Sequence, residues 1–221
     1  GAARVVIRVA VTAAAGLALL AGAAWLGQDA GRFATWVWVA MLWAALGTGL
    51  TALAAWLWRR TPLDHRWLLV LLAVGAVSRA AALPADRYLS DDAFRYHWDG
   101  KVLVHGINPY VHPPKSAALD PLRGDVLDYR VNHPQYRTVY PPFAQLHFAA
   151  GYLLTPGSLL GFQLLVLLGE LAAWALLLLE LARRRLPTTW VLLAAWAPLA
   201  VLEGYLPGHL DALALPWMSL F

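Results

Sequence analysis

The sequence predicts an all-α integral membrane protein, a bundle of several membrane-spanning helices with one large external loop. Its 221 residues are 60% hydrophobic and only 14% charged, whereas soluble domains carry about 25% charged residues. The apolar residues also come in blocks about as long as a bilayer is thick. Twelve Trp and eight Tyr are typical of a protein anchored at two membrane interfaces; core aromatics or sugar-stacking platforms are alternative interpretations.

The apolar blocks define five complete spans and the start of a sixth. Each of the five holds about 16–25 mostly apolar residues, enough to cross about 30 Å, although the fifth is at the short limit. They are expected at 5–26, 34–58, 66–84, 158–182 and 189–204, with the sixth beginning near 211. Because the sequence stops inside this last apolar run, we expect the N-terminal part of a longer protein.

The spans divide the chain into three regions: residues 1–84 with three transmembrane helices, the external loop 85–156 with short interfacial helices, and residues 157–221 with further transmembrane helices, the last truncated. Arginines concentrate at alternate ends of the spans, which marks the cytoplasmic side. We therefore expect a multi-pass plasma-membrane protein whose loop lies on the non-cytoplasmic side. The orientation is inferred from the positions of eight arginines: Arg4, Arg8, Arg59, Arg60, Arg66, Arg183, Arg184 and Arg185.

Composition and motifs exclude several classes of function. The absence of cysteine rules out a disulfide framework, a thiolate metal site and a Cys nucleophile. No basic face with interleaved aromatics is visible, so no nucleic-acid partner is expected. The histidines lack metal spacing, and no P-loop, GxGxxG or GxSxG is present. We therefore predict no metal ligands, but leave open a divalent cation held by a pair of acids.

The external loop begins with the cluster Ser90-Asp91-Asp92, at the start of one of two expected interfacial helices, 91–105 and 117–128. Ser90 has the chemistry of a helix N-cap, and two acids in a first turn are stabilised by the helix dipole. Starting a helix is one interpretation of this pair. The other is catalytic: at the lipid headgroup level a carboxylate is partly desolvated, which suits a general base.

Helical spacing brings further polar groups to this cluster. Asp92, Tyr96 and Asp99 share one face of a helix, and Arg95 lies at i+4 spacing from both Asp91 and Asp99. Such a face holds one carboxylate free while its neighbours are paired.

Three turns complete the set of candidate residues. Gly106 and Asn108-Pro109-Tyr110 are predicted to fold the chain back over the acids. Tyr140-Pro141-Pro142 is either a stiff start to a membrane helix or a rigid aromatic wall. Glu203, His209 and Asp211 lie in an outer turn, where such groups are costly unless paired or used; a turn without function is the alternative.

Charged residues inside or beside the spans require partners. For Glu170 we expect a neutral carboxyl hydrogen-bonded to a neighbouring helix, with a proton path as the alternative. Arg79 either reaches lipid headgroups or binds a lipid phosphate. Glu180 is expected to pair with the arginines that follow it. Further candidates for binding phosphate, with solvated loop charges as the default, are Arg123, Arg130 and Arg137.

The motifs together resemble the GT-C superfamily of integral-membrane glycosyltransferases. The similarity rests on Asp91-Asp92, on Gly106-Ile107-Asn108-Pro109-Tyr110 fourteen residues later, on Tyr140-Pro141-Pro142 and on Gly208 to Asp211. It covers roughly residues 85–215 and is greatest for bacterial enzymes of the polyprenyl-phosphate mannosyl- and arabinofuranosyltransferase kind. It departs in having three spans, not one, before the loop, and fewer spans in total.

The resemblance implies inverting transfer of mannose or a similar sugar from a polyprenyl-phosphate donor to a glycan or lipid-linked acceptor, at the outer face of the membrane. Asp92 would be the general base, with Asp91 orienting the acceptor or sharing a divalent cation. The expected partners are membrane lipids, the donor and the acceptor. The predicted substrate-binding residues are Arg79, Arg95, Tyr96, Trp98, Asp99, Asn108, Tyr110, Tyr140, Glu203, His209 and Asp211.

The sequence is also compatible with two functions other than this enzyme. One is a membrane transporter, or an accessory subunit, for lipid-linked sugars or polysaccharide, with Glu170 and the external acids as its path. The other is an inactive membrane fragment that lacks part of the donor site.

Overall fold

The computed structural model describes residues 2–28, 33–61, 64–83, 90–205, 208–214 and 218, and throughout them the chain is helical or irregular, without a β-strand. This confirms the all-α class. Eight α-helices lie in these ranges: α1 (Ala2–Gln28), α2 (Phe33–Trp58), α3 (His65–Ala82), α4 (Asp92–Val104), α5 (Pro142–Leu154), α6 (Leu160–Arg183), α7 (Leu192–Ala195) and α8 (Pro198–Gly204).

Four of the helices, α1, α2, α3 and α6, are long and apolar enough to cross a membrane. This supports a multi-span membrane protein and agrees with the first four predicted spans. The predicted start of a sixth span forms a 3-10 turn, Asp211–Ala214, and most of its remainder lies outside the described residues. So do residues 84–89, which contain the end of the predicted third span and the predicted start of the external loop.

The predicted fifth span is not one continuous helix. Residues 188–204 form a 3-10 turn, Thr188–Val191, followed by the short helices α7 and α8. The break falls at Trp196 and Ala197, because Pro198 has no N–H to continue the hydrogen-bond ladder and is instead tolerated at the start of α8. The predicted fifth span is therefore a short apolar segment with a break in its helix, and it is not among the four helices of membrane-spanning length.

A buried ion pair stabilises this broken segment. Arg79 of α3 is fully buried; its Nε donates to Glu170 Oε2 of α6 at 3.0 Å, and its Nη1 donates to the carbonyl of Ala195 at 2.7 Å. Tyr205, just beyond α8, donates its hydroxyl to Glu170 Oε2 at 2.8 Å. Backbone that leaves a regular helix inside a bilayer needs such partners. Glu170 is thus hydrogen-bonded to a neighbouring helix, as the sequence predicted, and its partner there is the guanidinium of Arg79.

Small residues allow the helices to approach one another closely, as is usual in membranes. In α1, a Cβ on Gly22 would lie 2.0 Å from the indole nitrogen of Trp43, which donates to the carbonyl of Ala18 at 2.8 Å. Trp196, beside the helix break, donates to the carbonyl of Leu71 at 2.6 Å. The first three helices and the broken segment therefore share one core.

Glycines also join the external helices to the bundle. A Cβ on Gly100 of α4 would lie 2.2 Å from the carbonyl oxygen of Phe148 in α5, and one on Gly161 of α6 would lie 2.2 Å from that of Gly151 in α5. α4 thus packs on α5, and α5 on α6, with backbone against backbone. α5 was not predicted as a separate helix. It begins at Pro142, and proline is favoured in the first turn of a helix.

The first predicted interfacial helix, 91–105, is confirmed by α4. The second, 117–128, is not an α-helix but two 3-10 turns, Ala117–Leu122 and Val126–Arg130. Pro121 lies inside the first of them, and its missing N–H and ring are unfavourable for an α-helical ladder. The rest of residues 105–141 follows an irregular path over α4.

Candidate active site

The two acids singled out from the sequence lie at the N-terminus of α4. Asp91, not Ser90, occupies the N-cap position, and its exposed side chain makes no capping hydrogen bond. Ser90, one residue earlier, supplies one instead, since its Oγ accepts from the N–H of Asp92 at 3.2 Å. Asp92, the first helical residue, is partly exposed. Neither carboxylate is therefore used to cap the helix.

Asp92 is held by a residue forty positions away. The amide nitrogen Nδ2 of Asn132 donates to Asp92 Oδ1 at 2.6 Å. Within the described residues, no hydrogen bond reaches the second carboxylate oxygen. One oxygen is thus fixed while the other stays available, which is the arrangement a general base requires. Asn132 carried no signal in the sequence, because it lies in an irregular stretch without periodicity or motif.

An aromatic cluster forms the wall beside Asp92. Tyr96, one turn along α4, stacks on Phe148 with ring centroids 4.6 Å apart and meets Tyr140 edge-on at 5.0 Å. Burial raises the pKa of Tyr96, and the neighbouring Tyr140 and the negative charges of Asp92 and Asp211 raise it further. The phenol therefore stays neutral, and its ring is only 3% exposed. The structure brings Tyr96 and Tyr140 together.

The turn after α8 approaches the same place. Asp211 is exposed and near enough to Tyr96 for its charge to raise the pKa of that phenol. Glu203 and His209 pair with each other instead, with His209 Nδ1 3.2 Å from Glu203 Oε2. Of the three candidates in this turn, Asp211 is thus the one associated with the Asp92 cluster.

Arg95 and Asp99 form a buried support behind Asp92. Arg95 Nε donates to Asp99 Oδ1 at 2.9 Å, as the i+4 spacing predicted, and its Nη2 donates to the carbonyl of Tyr136 at 3.0 Å. Gln145 of α5 donates to Asp99 Oδ2 at 3.3 Å and to Thr138 at 2.9 Å. Burial raises the pKa of Asp99, while Arg95 opposes the rise. This network fixes the loop and α5 to α4.

The predicted turn after α4 is present. Gly106 has a φ of +78° and ends α4, since its N–H bonds the carbonyl of Leu103 and that of Ile107 bonds the carbonyl of Val102. Asn108 Oδ1 accepts from the N–H of Tyr110 at 2.9 Å. The Tyr110 hydroxyl then donates to the carbonyl of Tyr140 at 2.5 Å. Asn108 and Tyr110 thus join the turn to the aromatic wall.

Several candidates are engaged elsewhere. Trp98 is 1% exposed and packs in a small core beneath the loop, so its ring has no face open to a sugar. Arg79 serves the buried pair with Glu170, so it is not positioned to bind a lipid phosphate. Arg123 pairs with Asp120. Arg130 remains exposed, with its guanidinium carbon 4.0 Å from the centroid of the Phe94 ring.

A second buried cluster on α4 holds the far part of the loop. Lys101 Nζ lies 2.8 Å from Asp128 and 3.0 Å from Asp125. Burial disfavours the ammonium of Lys101, but the hydrogen bonds that it donates to the two carboxylates outweigh this effect and raise its pKa. His97, one turn earlier, is 5% exposed, and neither of its ring nitrogens has a hydrogen-bond partner within the described part of the chain.

Lowering the pH should weaken the attachment of the loop at His97, because a buried imidazole without hydrogen-bond partners among the described residues resists protonation. Burial lowers the pKa of His97; Lys101 acts in the same direction, while Asp128 and Asp125 oppose it. Unfolded histidine has a pKa of about 6.5, so below that pH the unfolded chain takes up a proton that the folded chain resists. Stability is then lost as the pH falls below about 6.5.

Thermal unfolding recorded between pH about 7 and 5 measures this effect. His97→Phe should flatten the dependence of the unfolding temperature on pH. The control is His147→Phe, which removes a partly exposed histidine of α5 and should keep the wild-type slope. Equal slopes in wild type and His97→Phe would contradict the assignment.

Comparison with known proteins finds no family model, no curated protein and no solved structure that matches this chain. The resemblance to GT-C enzymes stays a prediction based on the motifs. In the described ranges, no group of three or more His, Asp or Glu side chains is arranged to hold a metal ion.

Proposed function

We propose that the protein is a glycosyltransferase that moves mannose or a similar sugar from a polyprenyl-phosphate donor to a glycan or lipid-linked acceptor at the outer face of the membrane. One observation supports this above all. A partly exposed carboxylate, Asp92, is held by one oxygen through Asn132 and lies beside an aromatic wall that contains the partly exposed Tyr140 and the buried Tyr96. Four apolar helices of membrane-spanning length supply a bundle in which an isoprenoid donor would be reached from the lipid.

In this proposal the free oxygen of Asp92 takes the proton from an acceptor hydroxyl. The hydroxyl oxygen attacks the anomeric carbon of the sugar from the face opposite the phosphate, the carbon–oxygen bond to phosphate breaks, and polyprenyl phosphate leaves. The new glycosidic bond has inverted configuration. Asp91 and Asp211 orient acceptor hydroxyls, and the partly exposed Tyr140 provides the surface on which a sugar ring rests, with the buried Tyr96 packed behind it.

The leaving phosphate needs a cation. Arg79 and Arg95 are occupied in buried ion pairs, so we assign this role to Arg130. It is exposed, and it lies two residues before Asn132, the residue that touches Asp92. Its guanidinium also packs on Phe94, two residues after Asp92 in α4.

The test is an assay for transfer in nanodiscs. Purified protein is incubated with radiolabelled polyprenyl-phosphate mannose or arabinose and a range of glycan and lipid-linked acceptors, and labelled glycosidic product is measured. Product formation that depends on protein supports the enzyme. Donor-stimulated flux without any glycosidic product would support the transporter instead, although Glu170, on which that alternative depended, is paired with Arg79.

A further inference from the structure

Two adjoining cavities lie at the end of the bundle where α1 begins and α2 ends. The first has a volume of about 330 Å³ and is lined by the first turns of α1 and the last residues of α2. The second, of about 320 Å³, lies between the end of α2 and residues 185–189, which follow α6. Both are separate from the Asp92 site, which lies at the start of α4.

The first cavity carries four positive charges. Its lining contains Arg4, Arg8, Arg59 and Arg60, together with apolar residues, and no carboxylate. Arg8 donates to the hydroxyl of Thr61 at 2.6 Å and Arg59 to a backbone carbonyl at 2.6 Å, but neither contact neutralises a charge. Within the described ranges, none of the four arginines forms an ion pair.

The second cavity shares Arg59 and Arg60 with the first and adds Arg185, Thr188 and Thr189. Arg185 has a φ of +57°, a conformation usually left to glycine at a helix end. The N–H of Leu186 nevertheless bonds the carbonyl of Leu181 at 2.8 Å, so the helix ends in the regular way with arginine in the glycine position. The side chain presented there lines the cavity.

The position of the cavities in the bundle indicates which kind of ligand they bind. α1 and α2 are long and apolar enough to cross a membrane, so these helix ends lie at headgroup level. Trp56 lines the first cavity and Trp58 the second, and tryptophan is enriched at this level. Guanidinium groups bind phosphate oxygens in pairs, and basic pockets between transmembrane helices suit lipid phosphates.

We infer that the two cavities form one binding site for the phosphates of an anionic phospholipid. Each cavity takes one phosphate, and the shared Arg59 and Arg60 lie between them. A lipid with two phosphates, such as cardiolipin, occupies both cavities. Phosphatidylglycerol, with one phosphate, occupies one cavity and binds more weakly.

Native mass spectrometry with defined lipids tests this inference. Cardiolipin, phosphatidylglycerol and phosphatidylethanolamine are titrated onto wild type and onto Arg4→Gln/Arg60→Gln. Both arginines are exposed and make no side-chain hydrogen bond within the described residues, so the variant should fold. It should lose affinity for cardiolipin by about tenfold or more, given the contribution of each arginine near a membrane surface.

The matched control is Arg183→Gln/Arg184→Gln. These arginines lie at the C-terminal end of α6, next to Arg185, but they pair with Glu180 and line neither cavity. Cardiolipin affinity should be unchanged in this variant. An equal loss in both double variants would overturn the inference, because it would indicate a diffuse basic surface. So would equal binding of phosphatidylethanolamine and cardiolipin, or displacement of the lipid by inorganic phosphate at equal concentration.

Discussion

Asp92→Asn should reduce sugar transfer by at least about 100-fold, the usual contribution of a general base. The substitution keeps the shape of the side chain but removes the oxygen that accepts a proton. Ser90 continues to cap α4, so the helix should still form. The measurement is the rate of product formation in nanodiscs, together with the thermal unfolding temperature, which should stay near that of wild type.

Two companion variants sharpen this experiment. Asn132→Ala removes the hydrogen bond that fixes Asp92 and should lower kcat. Because Asp92 is still present, the dependence of the rate on pH should still show the ionisation of a general base. Asp120→Asn changes an exposed acid paired with Arg123 on the loop surface and should leave transfer unchanged. Full activity of Asp92→Asn would remove Asp92 from the mechanism.

Arg79→Met should lower the free energy of unfolding by about 3–5 kcal/mol, because it leaves the Glu170 carboxylate buried without its charge partner. The carbonyls of Ala194 and Ala195 at the helix break would also lose a donor. Thermal and denaturant unfolding in bicelles measure the loss. Arg79→Met/Glu170→Met should recover part of it, since no charge then remains buried.

The control for this pair is Arg183→Gln. Its partner Glu180 is partly exposed and the arginine largely exposed, and such surface pairs contribute little. This variant should therefore unfold like wild type. If Arg79→Met also unfolded like wild type, the ion pair between Arg79 and Glu170 would not be what stabilises the broken segment.

The apolar blocks predicted four of the helices because length and composition alone make a membrane span. The Ser90 cap and Gly106 predicted both ends of α4 for equally local reasons. The sequence did not predict the longer-range contacts. Asn132 binds Asp92, forty residues away, and Arg79 binds a helix break more than a hundred residues away. Such contacts depend on how the helices pack, and no local pattern encodes them.

Trp98 illustrates the same limit within a helix. It was predicted to bind substrate, but the loop folds over its ring and encloses it. Tyr96 is likewise only 3% exposed. Which side chains of α4 are covered depends on the contacts of Arg95 and Lys101, whose partners in the loop lie more than twenty residues further along the chain.

The glycine contacts of α4, α5 and α6 couple the movements of these helices. No side chain separates Gly100 from the backbone of α5, or Gly161 of α6 from Gly151. With backbone against backbone at both contacts, the three helices should shift together as one unit. The carboxylate of Asp92, at the start of α4, then keeps its distance from α6.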